Sequence, residues 1–328
     1  MTIYSRKPTG KPSWPLTLAA GGEGSGKSYL AAVASASDLV GRTYWIGYGE
    51  ADPDEYSMIP GADFDIVQHD GTVNMVKAIV REIAAQPKPE KPTLVVFDSG
   101  TKLWDAVSEN AQIDANKRAA SKGRSTDEAQ ITVDIWNKHK AHWRAIVDAL
   151  RAHDGPVIIT ARYEEVAEIV KGKPTGDKLW KVKAEKGLPY DVDAVIHMEE
   201  RGKYVVSKVR SVRLALDKPR EGPDLTMDAF WRALGLHEVE TGKAEYATPT
   251  QESSDMDTSG RDWLKELADA KGDPAAISSV GVAAKAATAG ESILVTIRTA
   301  YVDAKEVTAE VVPVDESDPS FVAAEADR

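Results

Sequence analysis

The sequence predicts an α/β fold: a mostly parallel sheet with helices on its faces, then a small helical unit and an acidic disordered tail. Three observations carry this expectation. An apolar run, Pro15-Leu16-Thr17-Leu18-Ala19-Ala20, feeds a glycine-rich turn and then a helical pattern, Ser28 to Ala34. Two further runs, Thr93 to Ser99 and Pro156 to Arg162, are continuously apolar and β-branched before they end in polar groups, as buried parallel strands do. Between these runs, apolar residues recur at helical spacing over Val73 to Ala85 and Thr132 to His153.

The other elements follow in order. Arg42 to Tyr48 reads as a second strand that runs into a carboxylate-rich loop, Gly49 to Glu55. Phe64 to Val67 reads as a short third strand, and Gln86 to Pro92 as a Pro-rich connector that no helix crosses. Asp105 to Gln130 is polar, with Lys117, Arg118, Lys122 and Arg124 close together; it reads as a connection. Trp136 and Trp143 fall on the apolar stripe of the helix that follows, which makes them core residues rather than stacking platforms. Tyr163 to Pro189 is a lysine-rich connection containing Lys171, Lys173, Lys178, Lys181, Lys183 and Lys186. Ala194 to Met198 and Lys203 to Arg210 form a hairpin turning at Arg201-Gly202, and a short helix at Met227 to Leu234 closes the core. The organisation expected is an N-terminal extension at 1–14, the core at 15–240, a linker at 241–260, helices at 261–308 and the tail at 309–328.

Composition narrows the function classes. The 328 residues contain no cysteine, which excludes disulfides, thiolate metal sites and cysteine nucleophiles. The polar, Pro-punctuated Met1 to Trp14 has no apolar leader pattern, and no uncharged stretch reaches the ~20 residues of a membrane span, so a soluble intracellular protein is expected. Residues 251–328 hold 16 acids and 7 bases, whereas residues 1–250 hold 36 and 34, so the net charge of −11 sits mostly in the C-terminal part. A nearly neutral core leaves room for a local nucleic-acid surface.

Chemistry concentrates in Gly21-Gly22-Glu23-Gly24-Ser25-Gly26-Lys27-Ser28, which fits the phosphate-binding pattern G-x-x-x-x-G-K-[ST]. The glycines let successive N–H groups turn inward onto phosphate oxygens, and the helix that starts at Lys27 adds the positive end of its dipole. Lys27 would neutralise the β- and γ-phosphates, and Ser28 would bind Mg²⁺. Asp98, at the C-terminal end of a buried strand, is the second expected Mg²⁺ anchor. The expected cofactors are therefore ATP and Mg²⁺. A GTPase base-reading motif is missing, since Asn137-Lys138-His139-Lys140 lacks its Asp; an ABC signature and a kinase lid are also absent.

These residues resemble the RecA-like core. The phosphate loop, including its acid at the third position, is similar to the RecA type. Ile46 to Tyr56 resembles the segment that supplies the catalytic glutamate, Val95-Val96-Phe97-Asp98-Ser99 the Asp-Ser form of the second motif, and Lys208-Val209-Arg210 the finger that reaches a neighbour's nucleotide. Within that class the chain resembles, over about residues 15–236, the phage AAA/RecA-like ATPases of the Sak-four type, taken to be single-strand annealing recombination proteins. The resemblance implies Glu50 as general base, with Thr160 or Arg162 sensing the γ-phosphate and Tyr29 beside the nucleotide. Lys208 and Arg210 would act in trans, which implies self-association into a ring or filament. It also places the basic stretches Lys117, Arg118, Lys122, Arg124 and Lys178, Lys181, Lys183, Lys186 in loops facing a central axis, where they would track single-stranded DNA with Trp180 and Tyr163 stacking bases. The acidic tail would compete with DNA or recruit a protein partner. Two other functions fit the motifs: a nucleotide-switched assembly protein with little turnover, and a small-molecule kinase.

Overall fold

The computed structural model describes residues 5, 7–126, 129–170, 173–214, 216, 218–222, 225–238, 240–242, 261–287 and 291–310. The chain divides into two units, Met1–Thr248 and Pro249–Arg328.

The first unit begins with β1 (Leu16–Gly21), α1 (Lys27–Ser35), β2 (Thr43–Gly47), a 3-10 turn at Asp54–Met58, β3 (Asp65–Ile66) and α2 (Val73–Ala85). It continues through β4 (Leu94–Asp98), α3 (Gly100–Ala120), α4 (Val133–Ala152), β5 (Val157–Val170), β6 (Lys173–Lys183) and α5 (Leu188–Asp191). β7 (Ala194–Glu200), β8 (Lys203–Val209), β9 (Arg220–Gly222) and α6 (Met227–Ala233) complete it. Among the described residues nine strands form one sheet in the order β3-β2-β4-β5-β1-β7-β8-β9, with β6 paired to β5. β3, β2, β4, β5, β1 and β7 run parallel; β6, β8 and β9 are antiparallel additions. The α/β class with a mostly parallel sheet is the one expected.

Apolar residues occupy both faces of the central strands because helices cover both. Every residue of β1 and of β4 is buried. On one face Leu18, Phe97 and Ile159 pack under α2, α3, α4 and α5; on the other Ala19, Val96 and Ile158 pack with α1 and with Phe230 and Trp231 of α6. Helix α2 shows how the sequence decides an element: Val73, Val76, Val80 and Ile83 make its buried stripe, and the Thr72 hydroxyl caps its first turn by accepting from Met75 N at 3.2 Å. Trp143 is buried and Trp136 half-buried, and both pack around Trp104 at centroid distances of 5.5 Å.

Two expected connections are regular structure instead. Residues 105–130 are not a loop: most of them continue α3, capped by Ser99 and packed on α4 through Ala111, Ala115 and Ile135. Beyond its first turns the buried residues are Val107, Ala111 and Ala115, so the apolar periodicity is faint in the sequence. The lysine-rich stretch after Thr160 is not a loop either. β5 runs eight residues beyond its last pair with β1, Gly21–Arg162, and folds back as β6. The result is a two-stranded arm of roughly 25 Å.

The second unit contains, among its described residues, α7 (Trp263–Asp269), α8 (Pro274–Ala286) and α9 (Glu291–Glu310) around Trp263, Ile277, Ala284 and Ile297. Asp262 and Asp273 cap the first two helices. The Thr/Ser/Asp-rich stretch at 247–259 and the tail beyond 310 lie outside the described residues. Among the described residues no helix is long and apolar enough to cross a membrane.

Candidate nucleotide site

The site sits where β1, β4 and β5 end. β1 delivers the loop Gly21 to Ser28, and the Leu30 amide donates to Gly26 O at 2.8 Å to open α1. Gly26 has φ +91°, a left-handed conformation that glycine adopts without a Cβ penalty. Gly21 is required for a different reason: a Cβ there would lie 2.1 Å from Met198 O. The loop is drawn together by its own groups. Ser25 Oγ donates to Gly22 O at 2.9 Å, while the Lys27 ammonium donates to Gly22 O at 2.6 Å and to Gly21 O at 3.1 Å. Burial pushes the Lys27 ammonium below its usual range, against the attraction of Asp98 and Glu50. It is a partly dehydrated cation, ready to exchange backbone carbonyls for phosphate oxygens.

Beside it lies Asp98, at the end of β4. β5 is inserted between β1 and β4, so Thr160 falls next to Asp98. Ser28 Oγ donates to Asp98 Oδ2 at 2.7 Å, and the fully buried Thr160 hydroxyl donates to Asp98 Oδ1. Burial raises the Asp98 carboxyl, and the two hydroxyl donors oppose the shift. A hydroxyl and a buried carboxylate in contact at the mouth of a phosphate loop suit Mg²⁺, which takes one or two protein oxygens and completes its shell with water and phosphate. Among the described residues no cluster of three His, Asp or Glu could hold a metal unaided.

Glu50 reaches the same place from β2. Gly49, at φ +65° and tight against the Lys102 side chain, turns the chain so that the carboxylate meets Ser99. Ser99 Oγ donates to Glu50 Oε1 at 2.7 Å, and Arg162 donates from Nε to the same oxygen at 3.0 Å and from a terminal nitrogen to Oε2. Burial alone would raise this carboxyl; the donors on Arg162 and Ser99 outweigh it and hold it below its ordinary value. Glu23 is exposed on the loop rim.

The chain carries the sequence of a known nucleotide-handling fold over this whole region: residues 16–221 match the AAA domain family. The chain belongs to that family. Its AAA domain thus contains all the elements that build the site. Among solved structures, RadB recombinase aligns at 16% identity over 61% of this chain and 84% of its own, with a TM-score of 0.35. An ATPase from the type III secretion system of pathogenic bacteria aligns at 14% identity over 56% and 50%, with a TM-score of 0.31. No curated protein matches the chain in sequence.

Several expected residues are therefore gathered in one place: the loop residues, Lys27, Ser28, Asp98, Glu50, Thr160 and Arg162. Thr160 faces Asp98, and Arg162 faces Glu50. Tyr29 lines the cleft above the loop with Tyr56 and Arg201, two residues that motif reasoning did not select. Arg201 carried a signal all the same, because it is the hairpin turn of the strand that neighbours β1.

Others lie elsewhere. Lys208 sits opposite Val195, toward the end of the sheet away from the loop, and its ammonium donates to the carbonyls of Pro189, Tyr190 and Val192 at 3.0, 2.9 and 2.6 Å. In its own chain it closes the end of α5. Arg210 is 3.8 Å from Asp193 and largely exposed. Lys117 and Arg118 occupy the last turn of α3, a helix of 21 residues, about 30 Å long, whose first turn adjoins Asp98. Arg118 pairs with Asp134 at 2.7 Å, while Lys122 and Arg124 are exposed just past the helix. Lys181 and Trp180 are exposed on the arm, Lys183 pairs with Asp105 at its root, and Lys186 is exposed beyond it. The side chain of Lys178 lies outside the described residues.

Proposed function

We propose that this AAA domain protein is a Mg²⁺-dependent ATPase that self-associates and works on single-stranded DNA, in recombination or strand annealing of the phage type. The observation that carries the ATPase part is the convergence of Lys27, the Ser28–Asp98 pair and Glu50 at the ends of neighbouring strands. Phosphoryl transfer needs charge neutralisation and an oriented water more than covalent help. The loop amides and Lys27 would hold the phosphates, Ser28 and Asp98 would hold Mg²⁺, which supplies charge neutralisation at the phosphates, and Glu50 would accept a proton from the attacking water.

The DNA part is supported by the arm. Its exposed Trp180 and Lys181 join a stacking surface to a charge that a phosphate backbone attracts. Tyr163 stands beside Trp180 at a centroid distance of 6.4 Å and accepts or donates a hydrogen bond with His197 at 2.6 Å, so the aromatic pair is anchored to the sheet. Self-association rests on the resemblance of Lys208 and Arg210 to a finger; the exposed Arg210 fits that role better than Lys208, which its own chain engages.

The test is ATP hydrolysis with and without a single-stranded oligonucleotide, on wild type and Lys27→Ala, over a range of protein concentration. Stimulation by the oligonucleotide that rises cooperatively with protein and vanishes in Lys27→Ala is the expected result. Turnover linear in protein and indifferent to DNA would replace this reading with a small-molecule kinase. Nucleotide binding with assembly but no turnover would replace it with a switch.

A further inference from the structure

The candidate base is held in a state that weakens it. Both oxygens of Glu50 are occupied, Oε1 by Ser99 and Arg162 and Oε2 by Arg162 again. A carboxylate so paired is a poor proton acceptor, whereas a general base works best when its own affinity for protons is near the working pH. Three donors leave a water one lone pair on the carboxylate, on Oε2. Opening the pair therefore makes Glu50 a stronger base and frees the face of its carboxylate for water. On opening, the Arg162 side chain, 47% exposed, passes into solvent, while Glu50, 19% exposed, keeps the Ser99 hydroxyl and the nearby Lys102 charge.

Arg162 is also placed to be moved. It is the last residue of β5 that pairs with β1, opposite Gly21, and the first that pairs with β6, opposite Lys183. It therefore stands at the junction where the arm leaves the sheet. One side chain ties both strands of that root to the second acidic motif. Thr101, in the first turn of α3, accepts from the Arg162 amide at 2.8 Å and donates to Lys183 O at 2.6 Å. Lys183 adds an ion pair to Asp105 at 3.2 Å. A shift of the arm is thus transmitted through its root to the guanidinium that holds Glu50.

We propose that Arg162 is a positioning residue: it latches Glu50 in the resting chain and releases it when a ligand bound along the β5–β6 arm displaces the root, so that the arm gates activation of water. This rests on the ATPase reading above and adds the regulation of that site. The charged groups around Glu50 are Arg162 on β5, Lys102 on α3, Lys27 on α1 and Asp98 on β4. Of these, Arg162 alone contacts the carboxylate in a hydrogen bond.

The experiment measures ATP hydrolysis by the full chain against pH, with and without an oligo-dT strand, for wild type, Arg162→Met, Arg162→Lys and Glu50→Gln. Arg162→Met is expected to hydrolyse ATP several-fold faster than wild type without the strand and to lose most of its stimulation. Its acid limb should move to higher pH, because the donor that lowers the Glu50 carboxyl is gone. Arg162→Lys, which keeps the charge, should fall between the two. Turnover that drops to the Glu50→Gln level with and without the strand would overturn the latch and make Arg162 a phosphate contact. An unchanged stimulation ratio with an unmoved acid limb would overturn it in favour of a purely structural pair. Wild-type turnover in Glu50→Gln, where Arg162 is intact, would remove the base itself and the latch with it. A wild type indifferent to oligo-dT, alongside a faster Arg162→Met with a shifted limb, would support the latch while removing DNA as the ligand of the arm.

Discussion

Thr160→Val tests the inner acidic anchor most directly, because it removes one donor and preserves shape. Thr160 is fully buried and donates to Asp98 Oδ1, while Ser28 serves the other oxygen. Valine leaves no orphaned group of its own but takes one hydrogen bond from a buried carboxylate. A hydrogen bond to a charged group contributes about 1.5–3 kcal/mol. In a unit of this size that corresponds to a fall in Tm of roughly 3–12 °C. The pH dependence follows from the direction of the Asp98 shift. Its carboxyl is raised in the folded chain, so the ionised form opposes folding above the folded-state titration and the opposition disappears below it. Removing a donor to the ionised form raises the carboxyl further. The deficit of Thr160→Val should therefore be full above the Asp98 titration and shrink as the pH falls through it. Melting curves of both proteins, without nucleotide, over a pH series would show this. An equal deficit at every pH, or none at any pH, would refute the idea that Thr160 acts through Asp98.

Two further predictions concern residues that the fold puts to unexpected use. Lys208→Met leaves three carbonyls at the end of α5 without their donor and should lower stability by about 1–3 kcal/mol by chemical denaturation. Hydrolysis per folded molecule should stay unchanged; a loss that mixing with Lys27→Ala chains restores would return Lys208 to a neighbour's site. On the arm, Trp180→Ala should weaken binding of a single-stranded oligonucleotide by about 1–3 kcal/mol, the range for one stacked base. Arg118→Ala, which breaks an exposed ion pair with Asp134 and a hydrogen bond to Thr132, should leave that affinity within error in the same fluorescence titration.

The elements legible in the sequence are those whose local pattern and tertiary burial agree. Six buried residues in β1, the alternation-free run of β4, the stripe of α2 and the glycine-lysine-serine turn each announce themselves within a dozen residues, because the physics that shapes them is local. Lys27, Ser28 and Asp98 followed for the same reason: a phosphate loop and a strand-end acid are defined by neighbours in sequence. Helix α3 stayed hidden because the later part of its buried stripe is only Ala111 and Ala115, and the arm because its strands carry charges where no second layer demands apolar residues.

What only the tertiary structure decided are the partners. Thr160 is 62 residues from Asp98, and Arg162 is 112 from Glu50, and no periodicity relates such distances. The insertion of β5 between β1 and β4 brings them together. The same strand order sends Lys208 to the far end of the sheet, where it closes α5, and sends Arg201 over the loop. The sequence alone determined which chemistry the chain carries, because donor and acceptor types are written residue by residue. Which acid meets which base was settled by strand order, since a carboxylate's proton affinity depends on what the folded sheet sets against it.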